Sequence, residues 1–197
     1  MKERIDIIVP ESVLAENEQK RRCLEQTYQL QLTDRAPVWV DATFWTVLAA
    51  RGTSFAQFME SPRSHLREHI LNIKWRAETV RDDLPIETEC LVIQPDFGAL
   101  RGTEFPMEIE WLPDQPAKTT HLLHDAEDID RLAMPDPAGG LNAKKIEFYR
   151  GMRAAVEDFD VRINGQKLRV AVTVSQPGGP IPSAFALCGS NLFLWIK

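Results

Sequence analysis

Two carboxylates stand where an apolar run hands over to a loop. Asp96 closes Cys90-Leu-Val-Ile-Gln-Pro-Asp96 and is followed by Phe97-Gly98; Asp41 closes Pro37-Val-Trp-Val-Asp41, with Phe44 and Trp45 just beyond it. At the C-terminal end of a parallel strand, such a carboxylate can accept hydrogen bonds from substrate N–H groups or balance developing positive charge. An acid beside aromatic rings suits a cationic or amine-bearing ligand. Either aspartate also reads as a loop residue capping the turn or helix that follows. A third apolar run, Leu168 to Ser175, enters Gln176-Pro-Gly-Gly-Pro180. There Gly178-Gly179 lets the backbone turn tightly before Pro180 starts a helix, and can bring N–H groups close to a ligand.

The histidines and cysteines point away from metal. His121 and His124 would share a face only on a helix, whereas Thr119-Thr120 and Leu122-Leu123 around them read as strand. His65 and His69 lie four apart on a helix, without a third ligand, and read as its solvated face. Cys23, Cys90 and Cys188 are odd in number and widely spaced, so neither a disulfide framework nor a zinc knuckle is expected. Cys188 reads as a core thiol, and a reducing cytoplasm is the simplest compartment.

The elements that must position these residues follow from periodicity and punctuation. Glu11 to about Leu30 reads as an amphipathic helix, which makes residues 1 to about 32 a helical extension; Pro37 to Asp41 reads as a first strand. Ser54 can cap a short helix, and Ser61-Pro62 starts a longer one whose Leu66, Ile70, Ile73, Ala77 and Val80 share a face. Leu91 to Gln94 reads as a second strand, Glu104 to Trp111 as an edge hairpin, and Asp125 with Asp128 as a capping box. Asn142 can cap the helix that carries Ile146, Tyr149, Met152, Val156 and Phe159. Asn164-Gly165 is a turn that can close a local hairpin before the third strand, Val170 to Ser175. Strands separated by helices imply α/β with a parallel sheet, either open or closed as a (β/α)8 barrel.

At 197 residues, with 44% hydrophobic and 26% charged residues, the chain has the composition of one globular domain. A net charge of −6 and a single basic cluster, Lys20-Arg21-Arg22, argue against a nucleic-acid surface. The charged N-terminus is unlike a signal peptide, and no apolar stretch is long enough for a bilayer, so no membrane partner is expected.

Four segments, in order, carry a resemblance to a known superfamily. They are Arg35-Ala-Pro-Val-Trp39 after Thr33-Asp34, Cys90 to Gly98, the acidic connector Asp125 to Pro137, and Gly178-Gly-Pro180 with its helix up to Gly189. Together they resemble the uroporphyrinogen decarboxylase superfamily, which also contains corrinoid-linked methyltransferases acting on coenzyme M and related thiols. The resemblance implies a (β/α)8 TIM barrel with its cleft at the C-terminal strand ends, and Asp96 as the aspartate that closes the second strand. It implies a catalytic Asp96; the places of Asp41, Trp45, Gln176 and Gly179 at or just beyond the ends of the apolar runs put them toward the substrate. True decarboxylases place two arginines after the first strand, in a Met-Arg-Gln-Ala-Gly-Arg-Tyr run, where this chain has Asp41-Ala-Thr-Phe-Trp-Thr-Val47. Their tyrosine after Gly-x-Pro also has no counterpart, because that helix reads Phe185-Ala-Leu187. Without guanidinium forks a polycarboxylate loses its bidentate partners, which favours the methyl-transfer branch over a decarboxylase of porphyrin biosynthesis.

The expectation is therefore a single domain over residues 1–197 that forms the N-terminal portion of a barrel, with three core strands and a small inserted hairpin. A small-molecule substrate is expected, with a corrinoid protein as partner in the methyl-transfer branch. No cofactor is expected within the chain; the zinc of such methyltransferases is held by ligands of the barrel's C-terminal half. The chain alone is expected to be inactive and to associate, and the alternative is a truncated or degenerate relative without catalysis.

Overall fold

The computed structural model describes residues 2–40, 43–98, 103–112, 118–174 and 179–195. It opens on a strand, β1 (Glu3–Ile7), whose Ile5 and Ile7 are buried. Two helices follow, α1 (Glu11–Ala15) and α2 (Asn17–Tyr28). The first 32 residues thus hold a strand as well as helices.

Pro37 to Val40, expected to begin the first core strand, forms no ladder. Its polar backbone atoms are taken by the loop beyond a later helix: Val38 N–H donates to Asp83 Oδ2 at 2.7 Å, Asp83 N–H to the Val38 carbonyl at 2.8 Å, and Val40 N–H to Asp82 Oδ2 at 2.8 Å. Carboxylates thus supply the acceptors that a neighbouring strand would offer.

Helices α3 (Phe44–Ala50), α4 (Phe55–Phe58) and α5 (Pro62–Thr79) start on local caps. Thr43 accepts from Thr46 N–H, Ser54 forms a capping box with Gln57, and Ser61 accepts from Ser64 N–H ahead of Pro62. Next come β2 (Cys90–Ile93) and a short antiparallel hairpin, β3 (Ile109–Glu110) with β4 (Lys118–Thr119). Helix α6 (Asp128–Arg131) begins where the Asp125 and Asp128 side chains accept from each other's N–H groups. Gly139, rather than Asn142, is the cap of α7 (Gly140–Ala155). Strands β5 (Phe159–Ile163), β6 (Gln166–Lys167) and β7 (Arg169–Val172) precede helices α8 (Pro180–Cys188) and α9 (Leu192–Trp195).

Two sheets organise the α/β architecture. In the first, β1 pairs parallel with β5, and β5 turns through Asn164-Gly165, both at positive φ, to pair antiparallel with β6. In the second, β2 and β7 are parallel, in register from Cys90 opposite Arg169 to Ile93 opposite Val172. This is the neighbour relation expected of the second and third strands. No sheet among the described residues closes into a barrel. Helices α5 and α7 cover these strands: Leu66 and Ile70 meet Phe148 and Met152 over Ile5, Ile7, Leu91, Ile93, Val161 and Ile163. Their close approach needs Gly151, where a Cβ would stand 2.6 Å from the Pro62 ring. No helix among the described residues is long and apolar enough to cross a membrane.

Candidate functional site

The parallel ladder of β2 and β7 ends with Thr173 N–H donating to the Ile93 carbonyl at 2.9 Å. Parallel strands release their next residues at one rim, so the segment holding Asp96 leaves beside the segment that follows β7. Beyond the ladder, Asp96 N–H donates to His65 Nε2 at 3.0 Å, and Asp96 Oδ1 accepts from Gly98 N–H at 2.8 Å. Gly98 lies at φ +84°, which lets the chain fold back onto the carboxylate. Burial raises the Asp96 carboxyl above its ordinary pKa, against the lowering effects of the Gly98 N–H and the Lys145 charge.

Trp45 approaches the same turn from α3. Its Cζ2 is 3.5 Å from where a Cβ on Gly98 would stand. The ring belongs to an aromatic cluster in which Trp45 and Phe55 centroids are 4.4 Å apart, Phe44 and Phe58 5.1 Å, and Phe55 and Trp111 5.9 Å. Lys144 Nζ lies over both Trp111 and Phe148, at 5.6 and 5.7 Å from the centroids. The site therefore brings one half-buried carboxylate into a turn whose Gly98 lies against the Trp45 ring. A partly desolvated carboxylate near aromatic side chains favours a ligand that supplies positive charge or N–H donors.

Of the residues singled out from the sequence, Asp96 and Trp45 meet around Gly98. Asp41 and Gln176 lie outside the described residues. Gly179 is exposed and caps α8, its carbonyl accepting from Ser183 N–H at 3.2 Å. The described contacts of α8 run instead to the loop after β4, where the Leu187 carbonyl accepts from Leu122 and Leu123 N–H.

The expected solvated face of α5 is overturned. His65 is fully buried, and its ring lies 4.0 Å from Phe58, 5.5 Å from Phe97 and 5.2 Å from Phe148 between centroids. The cause is that α3 and α4 pack on the side of α5 that a single apolar stripe leaves to solvent. Burial pushes His65 down to about 2 and His69 down to about 4. Both imidazoles are neutral at working pH.

Metal does not fit this pair. The two Nε2 atoms are 3.2 Å apart, but Asp96 N–H already points at the His65 lone pair a ligand would need. The described residues hold no group of three or more His, Cys, Asp or Glu side chains able to hold a metal ion. His121 Nδ1 instead donates to the Ala186 carbonyl at 3.0 Å, and its ring lies against Gly189, where a Cβ would come within 2.6 Å of Nε2.

Arg35 has a structural task. It forks onto both carboxylate oxygens of Asp83, which also accepts from Val38 N–H, and so fastens residues 35–40 to the loop after α5. Comparison with family models, with curated proteins and with solved structures returns no match.

Proposed function

We propose that this chain forms the first part of a (β/α)8 barrel of the uroporphyrinogen decarboxylase superfamily, of its corrinoid-linked methyl-transfer branch. Asp96 is then the ligand-facing carboxylate at the C-terminal rim. The observation that carries this reading is the parallel register of β2 with β7, which sends the segment holding Asp96 and the residues after Val172 off the same end of the sheet. In a barrel of this family those two segments border the cleft.

Asp96 accepts hydrogen bonds from a substrate N–H or balances a positively charged methyl donor, and Trp45 offers that group an aromatic face. Partial desolvation of the carboxylate would strengthen both interactions. A corrinoid protein is the proposed partner that carries the methyl group. The described residues do not supply a zinc ligand set, and no step assigned to them involves zinc. The methyl-transfer branch is favoured over decarboxylation because Asp41 to Val47 carries no guanidinium for a polycarboxylate.

The test is a titration of ¹⁵N-labelled protein with tetramethylammonium, as a small methylated cation, and separately with uroporphyrin. The reading expects tetramethylammonium to move the Asp96 and Gly98 amides and the Trp45 indole resonance, with uroporphyrin leaving them in place. Unmoved resonances with the cation, or saturable binding of uroporphyrin at these positions, would overturn it.

A further inference from the structure

We infer that His65 is a positioning residue for Asp96, an inference that rests on the reading of Asp96 as the ligand-binding carboxylate. The Asp96 amide lies past the last bond of the β2–β7 ladder, so the sheet no longer provides it with an acceptor. His65 Nε2 takes that place at 3.0 Å, reaching across from α5. An amide left unpaired there would cost the turn its fixed geometry.

The partners of the imidazole fix which nitrogen is bare. The Phe58 carbonyl, 3.3 Å from Nδ1, can only accept, so Nδ1 carries the proton. The Asp96 N–H can only donate, so Nε2 is the acceptor; His69 Nε2 lies 3.2 Å from the same nitrogen. Phe58, Phe97 and Phe148 pack around the ring, at 4.0, 5.5 and 5.2 Å between centroids.

A phenylalanine would fill this space among three others. What the imidazole adds is one acceptor, aimed at the amide of the residue whose carboxylate closes on Gly98, itself packed against the Trp45 ring. Sites of this kind owe their affinity to groups already set in the bound geometry before the ligand arrives. His65 does this for Asp96 without touching the ligand.

Three measurements on the full chain test the proposal. In the wild type, a through-hydrogen-bond coupling between the Asp96 amide nitrogen and His65 Nε2 is expected; an Nε2-protonated His65 would overturn the assignment whether or not any variant folds. In His65→Phe, Asp96 amide exchange is expected to quicken at least tenfold and tetramethylammonium affinity to fall severalfold, with other α5 amides protected as before. His65→Gln, which returns an acceptor near the same place, is expected to recover most of both effects. A folded His65→Phe with wild-type Asp96 exchange and affinity would overturn the positioning role. If Asp96→Asn abolishes cation binding while His65→Phe leaves it intact, this inference fails and the functional reading stands. If Asp96→Asn binds the cation as well as the wild type, the functional reading fails, and the inference with it.

Discussion

Asp96 donates its amide hydrogen to His65 across thirty-one residues of sequence, over 3.0 Å. That bond joins α5 to the loop beyond β2, at the residue whose carboxyl pKa is raised by burial. Helix α5 therefore serves as both core and scaffold: Leu66 and Ile70 cover the strands, and His65, one position earlier, governs the turn.

Gly98→Ala is expected to destabilise the fold by about 1–2 kcal/mol, because an L-residue resists positive φ, and the added methyl meets Trp45 at 3.5 Å. Chemical denaturation measures the loss. The substitution is also expected to weaken tetramethylammonium binding, since the Asp96 carboxylate would lose its folded-back geometry; equal affinity in both proteins would mean the turn does not shape the site.

Arg35→Ala is expected to lower the melting temperature at neutral pH. The Arg35 guanidinium and the Val38 N–H hold the Asp83 carboxyl well below its ordinary value of 3.8. A depressed carboxyl contributes stability that is present above the unfolded-state pKa and lost as pH falls below it. The gap between wild type and variant should therefore be widest near neutrality and should begin to narrow as pH drops below about 3.8, closing only as the lowered folded-state value is approached. Thermal melts from pH 7 to pH 3 would show a constant gap if Asp83 were unpaired.

His69 predicts a slope in a different window. Its folded-state pKa of about 4 lies below the ordinary 6.5. Its contribution is thus fully present above pH 6.5 and declines as pH falls toward 4, by at most about 1.4 kcal/mol per pH unit. His69→Phe is expected to reduce the slope of the stability profile between these limits, the slope that remains there coming from His65. An unchanged profile in denaturant titrations would place His69 in water.

Phe193 and Leu194 on α9 are 69% and 76% exposed, and Ile181 on α8 is 67% exposed. Such apolar surface promotes association. The chain is expected to run above its monomer mass in light scattering at micromolar concentration, and the double substitution Phe193→Ser with Leu194→Ser to shift it toward the monomer. A monomeric wild type would remove this expectation.

Much of the frame is legible in the residues themselves. The apolar runs Leu91 to Gln94 and Val170 to Ser175 announce two strands, which form as Cys90–Ile93 and Arg169–Val172; Ser61-Pro62 marks the start of α5, and Asn164-Gly165 marks the hairpin. Strand β1 is not legible, because five residues with two inward isoleucines become a strand only when Phe159 to Ile163 arrives beside them. Pro37 to Val40 reads as a strand by composition, yet its backbone bonds go to Asp82 and Asp83, and no local pattern encodes that choice. Asp96 and Trp45 are visible as candidate site residues from their places beyond apolar runs. His65 is hidden because periodicity reports one apolar stripe of α5, and only the docking of α3 and α4 buries the neighbouring one.

The central claim is that the Asp96 carboxylate holds a cationic or N–H-bearing ligand at the end of the β2–β7 pair. The most direct measurement is tetramethylammonium affinity, by calorimetry near neutral pH, in wild type and in Asp96→Asn. Asparagine keeps the shape and an acceptor for Gly98 N–H but carries no charge. The account predicts at least a tenfold loss of affinity with the melting temperature little changed, and a wild-type affinity that fades as pH falls through the raised carboxyl pKa. Equal affinity in the two folded proteins, independent of pH, would contradict it.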